Sequence, residues 1–193
     1  MNTAIVWFRK TIRIHDNPML MWAESSQQID SIIPIYIIDE NWSLDVENSV
    51  GVNRLNFLYE SLLDLDKNLK DNFGTKLLVY SGDSNEVIKS IIGSIDENVN
   101  SLLIDYCSEP KNRKDAEDVI QNLKNTDVNI KVFPAVNTIL DIEKIIQTKN
   151  FKAPKSTKDM NKIFEENLVI SPNGYLLDGC LLYTSPSPRD VSS

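Results

Sequence analysis

The sequence predicts a doubly wound α/β domain, a five-stranded parallel sheet in the order 3-2-1-4-5 with helices on both faces. Three observations lead there. Short β-branched and aromatic runs alternate with stretches of helical periodicity. No two of these runs are joined by a hairpin signal, and parallel neighbours need crossover connections. The 193 residues, 41% apolar and 25% charged, suffice for one sizeable core.

Ala4-Ile5-Val6-Trp7-Phe8 reads as the first strand, buried on both sides. His15-Asp16-Asn17-Pro18 then signals a helix start. Asn17 can accept from free N–H groups, and Pro18 suits the first helical position because its missing N–H would have been unpaired anyway. Met19 to Ser25 forms that helix, Ile32 to Ile38 the second strand, and the polar stretch Asp39 to Gly51 a long loop. Leu55, Leu58, Leu62, Leu65 and Leu69 are spaced for a helix over Asn53 to Asn72 buried on one face, with Gly74 as its stop. Leu77 to Tyr80 is the third strand, Asn85 to Ile92 a short helix, and Leu102 to Tyr106 the fourth strand. Ala116, Val119, Ile120 and Leu123 give Pro110 to Asn125 one apolar stripe, before Ile130 to Phe133 as the fifth strand and a last turn or two at Asp141 to Gln147. Residues 1–165 form the domain and 166–193 an irregular tail.

Composition excludes several classes. Twenty basic residues against 28 acidic ones, net −8, provide no electrostatic footprint for a nucleic-acid backbone. Cys107 and Cys180 lack metal-ligand spacing and His15 is the only histidine, so neither a metal site nor a disulfide framework is expected. The apolar opening is too short for a signal h-region and Ile32 to Ile38 too short to span a bilayer; a cytoplasmic or nuclear location with no membrane partner is expected. The first strand-to-helix turn, Arg9 to Asn17, has no glycine, which disfavours a dinucleotide fingerprint. Ser81-Gly82-Asp83-Ser84 reads as a polar turn, and His15, with no nucleophile placed beside it, as a capping or surface histidine.

One string differs in kind. Trp7-Phe8-Arg9-Lys10-Thr11-Ile12-Arg13-Ile14-His15-Asp16-Asn17-Pro18 resembles the opening motif of photolyases and cryptochromes. Lys10 after Trp-Phe-Arg and the His-Asp-Asn-Pro ending are most similar to the animal cryptochrome and (6-4) photolyase branch. Gly51-Val52-Asn53-Arg54, Leu63-Asp64-Leu65-Asp66, Ser108-Glu109-Pro110 and Leu140-Asp141 continue the resemblance in order. Thr11, Leu55 and Asn137 stand where the family usually has glycine, tryptophan and histidine.

The resemblance implies the α/β domain of a blue-light flavoprotein, with the helical FAD-binding domain absent from this chain. Its parent is then either a DNA photolyase, a lyase acting on pyrimidine photoproducts, or a cryptochrome photoreceptor or clock regulator. No catalytic residue and no FAD site are expected within the chain, and DNA or clock and signalling partners would bind through the missing part. An exposed apolar patch is expected where the second domain would pack. Trp7, Phe8, Arg9, Arg13, Asp16, Asn17 and Pro18 are read as structural, with Arg9 and Arg13 pinning the turn near Asp16. Some relatives carry a folate or deazaflavin antenna at the carboxyl ends of the strands; the positions that would line it are Arg9, Ile38, Asp39, Asp105 and Glu109. The alternative is a free-standing nucleotide-binding or protein-interaction α/β module. Finally, Cys180-Leu181-Leu182-Tyr183-Thr184-Ser185-Pro186-Ser187-Pro188-Arg189-Asp190 resembles a translated sequencing adapter, so residues 180–193 are read as artefactual rather than as a disordered Ser/Pro tail.

Overall fold

The computed structural model describes residues 2–38, 51–94, 99–107, 109–133, 145–148 and 151–167. They fall into two units, residues 1–136 and 137–193. The first contains β1 (Thr3–Phe8), α1 (Pro18–Ser25), β2 (Ser31–Ile38), α2 (Val52–Phe73), β3 (Leu78–Ser81), α3 (Ser84–Ser94), β4 (Val99–Asp105), α4 (Pro110–Leu123) and β5 (Asn129–Phe133). The strands form one sheet in the order β3-β2-β1-β4-β5, and every pairing is parallel.

β1 lies at the centre and is buried along its whole length. Because successive side chains of a strand alternate between faces, its even and odd residues seed two cores. Ala4, Val6 and Phe8 meet Met19, Leu20 and Ala23 of α1 and Leu62, Leu65 and Leu69 of α2. Ile5 and Trp7 meet Ile88 and Ile91 of α3 and Ala116, Val119 and Leu123 of α4 on the opposite face. The near-continuous apolar runs of the sequence are therefore what a sheet covered on both sides requires.

Local chemistry fixes the element ends. Asn17 is fully buried and caps α1: its Oδ1 accepts from the Met19 and Leu20 N–H groups at 3.0 and 3.4 Å, and its Nδ2 donates to the Arg13 carbonyl at 2.9 Å. Pro18 is the first residue of the helix. Gly74 closes α2 with φ of 64°, a left-handed conformation that glycine adopts without a Cβ penalty. Pro34 lies within β2, but β3 pairs only from Ile35 onward, so on that side the proline leaves no ladder bond unmade.

Several boundaries move. β4 starts at Val99 rather than Leu102, because Val99 and Ser101 pair with β1 and Ser101 also with β5 despite its polarity. β3 starts at Leu78 rather than Leu77, whose N–H instead donates to Asp66 Oδ1 at 3.0 Å. α4 ends at Leu123, where the Lys124 and Thr126 N–H groups turn back onto the Gln121 and Leu123 carbonyls. Leu55 does not join the buried face of α2. At 40% exposure it belongs with Val52, Tyr59 and Leu63 to a neighbouring stripe, spaced by three and four residues and left open to solvent.

In the second unit, helix α5 (Thr157–Asn167) starts on a reciprocal cap: the Asp159 N–H donates to Ser156 Oγ and the Lys155 N–H to Asp159 Oδ2, both at 3.2 Å. Ser156-x-x-Asp159 is the sequence signal for this helix, which is additional to the elements expected from periodicity. The loop expected over Asp39 to Gly51 lies outside the described residues except at its last position, as does the helical turn at Asp141 to Gln147 except at Ile145–Gln147; residues 168–193 of the expected tail lie outside them altogether.

Candidate functional site

In an open α/β sheet, ligands bind beyond the carboxyl ends of the strands where the strand order reverses, which here is the β1/β4 junction. A cleft of about 180 Å³ opens at that edge. Trp7, Arg9 and Lys10 line it from the end of β1, Tyr36, Ile37 and Ile38 from β2, Arg54 from α2, Ser84 from α3, and Glu109, Lys111, Asn112 and Asp115 from the start of α4. Four cationic side chains face two carboxylates, a local excess of positive charge in a chain of net −8.

Arg9 is the buried cation of the site, only 9% exposed. Its guanidinium lies 4.9 Å from the Trp7 ring centroid, Nη1 donates to the Asp105 carbonyl at 3.4 Å, and Nη2 donates to the Asn112 carbonyl in the first turn of α4. It does not reach toward Asp16, contrary to the expectation that Arg9 and Arg13 together pin that turn. The reason is strand parity: Arg9 follows Trp7 by two residues and points to the α4 side, whereas Asp16 leads into α1 on the other face. Arg13 instead pins that turn, donating to the His15 and Asp16 carbonyls at 3.0 and 3.1 Å and lying 3.7 Å from the Asp16 carboxylate.

Lys10 crosses the junction to Glu109, Nζ to Oε2 at 3.0 Å, and Asn112 Nδ2 donates to the same oxygen at 2.5 Å. The Lys10 ammonium, aided by Asn112, holds the Glu109 carboxyl below the usual carboxylate range. Asp105 ends β4 with no exposure at all. Its Oδ2 accepts from the backbone N–H groups of Lys10 and Thr11. Burial pushes its carboxyl upward, and Arg9 and those donors only partly offset this. Tyr36 is likewise raised, by burial first and then by the Asp105 charge.

Of the five positions expected to line a ligand, Arg9, Ile38 and Glu109 line the cleft. Asp105 is not on its wall and instead fixes the turn that carries Lys10; Asp39 lies outside the described residues. The cleft also takes in Trp7, expected from the sequence only as scaffold, and Lys10, Tyr36, Arg54, Lys111, Asn112 and Asp115, which carry no ligand motif. Their common signal is position, near the end of a strand or in the first two turns of the helix after it. Phe8 is core, His15 is exposed, and no group of three or more potential metal ligands occurs among the described residues.

The parallel order and the strand-end cleft define a doubly wound α/β domain with a candidate ligand site at its switch point. Residues 4–173 match the DNA photolyase family model, and the chain belongs to that family as its α/β domain. It is 31% identical over 171 residues to a (6-4)DNA photolyase of Arabidopsis thaliana, covering 84% of this chain and 30% of that protein. It is 36% identical over 156 residues to cryptochrome-1 of Spalax judaei, covering 80% and 25%. Among solved structures, a Synechocystis cryptochrome superposes with TM-score 0.73 at 24% identity over 89% of this chain and 35% of that one. An archaeal photolyase from Sulfolobus tokodaii, described with two FAD molecules and an implied novel light-harvesting cofactor, superposes with TM-score 0.64 at 20% identity over 86% and 34%. The chain thus spans between a quarter and just over a third of the length of these relatives.

Proposed function

We propose that the chain is the α/β domain of a longer blue-light flavoprotein, a DNA photolyase or a cryptochrome, whose flavin chemistry takes place outside residues 1–170. What carries this reading is the family match over residues 4–173 combined with coverage of only 25–30% of relatives of both kinds. DNA or signalling partners, and residence in cytoplasm or nucleus, go with the whole protein. Among the described residues no helix is long and apolar enough to cross a membrane.

Within the domain, the cleft suits the anionic end of an accessory chromophore. Arg9, Lys10, Arg54 and Lys111 supply charge, and Trp7 and Tyr36 supply aromatic walls. At about 180 Å³ it takes a ring or a phosphate rather than a whole dinucleotide, since ligand pockets generally run to about 300–1,000 Å³. A folate, deazaflavin or second flavin would use these residues for binding and orientation; the chromophore itself would supply light absorption. A nucleotide-binding module of the dinucleotide type is disfavoured, because Asp83 already caps α3, its Oδ1 accepting from the Asn85 and Glu86 N–H groups at 2.9 and 3.1 Å. The test is to express the longer protein, extract its chromophores and identify them by mass spectrometry. Retained FAD, with or without a second chromophore, supports the reading; a longer protein free of flavin overturns it.

A further inference from the structure

Two acidic residues precede helices at this edge of the sheet, and they behave differently. Asp83 spends its carboxylate capping α3. Glu109 occupies the N-cap position of α4 but makes no side-chain cap bond, and its carboxylate instead faces the cleft and holds Lys10. Lys10 belongs to the β1 side of the switch-point crevice and Glu109 to the β4 side, so the pair spans the place where a ligand would enter.

Resting on the reading of the cleft as a ligand site, we propose that Glu109 is a built-in competitor: an internal carboxylate that occupies the Lys10 ammonium until an anionic ligand displaces it. The geometry suits exchange rather than a permanent lock. Backbone bonds to Asp105 anchor the turn that carries Lys10, whereas the paired side chains are 36% and 58% exposed, and pairs of that kind are weak and screened by salt. Asn112, which also donates to Glu109, is released by the same exchange and becomes a second donor for the incoming anion. The device sets selectivity: an anion must replace Glu109, whereas a neutral ring of the same shape gains nothing from doing so.

The experiment compares flavin mononucleotide with riboflavin, the same ring without the phosphate. Fluorescence titration is run at low salt on the full 193-residue chain, on Glu109→Gln, on Lys10→Met and on the double variant, each checked for native thermal unfolding. Glu109→Gln is expected to bind the mononucleotide about fivefold tighter than the parent chain, a change in keeping with a partly exposed pair. Riboflavin should bind both equally, and the gain should vanish when Lys10 is also replaced. Equal mononucleotide affinity for the parent chain and Glu109→Gln, or an equal gain for riboflavin, overturns the competitor while leaving the cleft as a ligand site. No mononucleotide binding by any variant overturns the cleft reading and the competitor with it.

Discussion

Asp105 and Thr11 meet through a single oxygen. The Thr11 N–H, together with that of Lys10, donates to Asp105 Oδ2, while Oδ1 is buried without a hydrogen-bond partner among the described residues. That side chain thus holds the start of the β1–α1 turn and bears a desolvation cost that Arg9 and its donors only partly offset.

That cost depends on pH. A carboxyl whose folded pKa is raised binds its proton more tightly in the native state, so its contribution is most favourable below the unfolded value and is lost as pH rises through the folded one. Asp105→Asn removes the titration and keeps an acceptor for both N–H groups. Urea midpoints from pH 4 to pH 8 should therefore show the Asn variant gaining on the parent chain as pH rises. Asp105→Leu orphans both donors and should cost about 2 kcal/mol or more at every pH. A pH-independent difference between Asn and Asp would contradict the buried-charge assignment.

Asn17 provides a second test. Replacing it with Ala removes the cap of α1 and leaves the Arg13 carbonyl without its buried donor, so a loss of about 1–2 kcal/mol in chemical denaturation is expected. Asn17→Asp keeps the cap but turns a second acceptor toward that carbonyl, and should fall between the two. A neutral Ala variant would mean that Pro18 alone defines the helix start.

Asn17 and Pro18 also show what was legible in the sequence. Caps, a terminal glycine and apolar periodicity are local signals, and they locate the five strands, the first four helices and, with the absence of hairpin turns, the parallel pairing of the strands. The site was less legible because its geometry is set across the sheet. Arg9 finds the Asn112 carbonyl 103 residues away, and nothing near Arg9 in sequence announces it. Parity along β1 was the available clue, since Trp7 and Arg9 share a side that α1 does not occupy. Leu55 departs from the expected buried stripe for a related reason: spacing alone does not tell which of two adjacent stripes on α2 the sheet covers.

The open stripe of α2 should govern solution behaviour more than stability. Val52, Tyr59 and Leu63 are 71%, 65% and 52% exposed, so Tyr59→Lys combined with Leu63→Glu should change stability by no more than about 0.5 kcal/mol each. The same pair should lower binding of a hydrophobic dye and raise the concentration at which the chain stays monodisperse. A large loss of stability would show that the stripe is covered in solution.

The flavin that drives the chemistry is expected to bind outside this domain. The direct measurement is size-exclusion chromatography of the 193-residue chain and of the longer protein, each preincubated with FAD, with flavin absorbance followed across the protein peak. The longer protein should elute with stoichiometric flavin. The chain alone should elute without it, because the cleft grips only one end of such a ligand and a weak complex dissociates on the column. Stoichiometric FAD carried through the column by the 193-residue chain would instead place a flavin site within this domain.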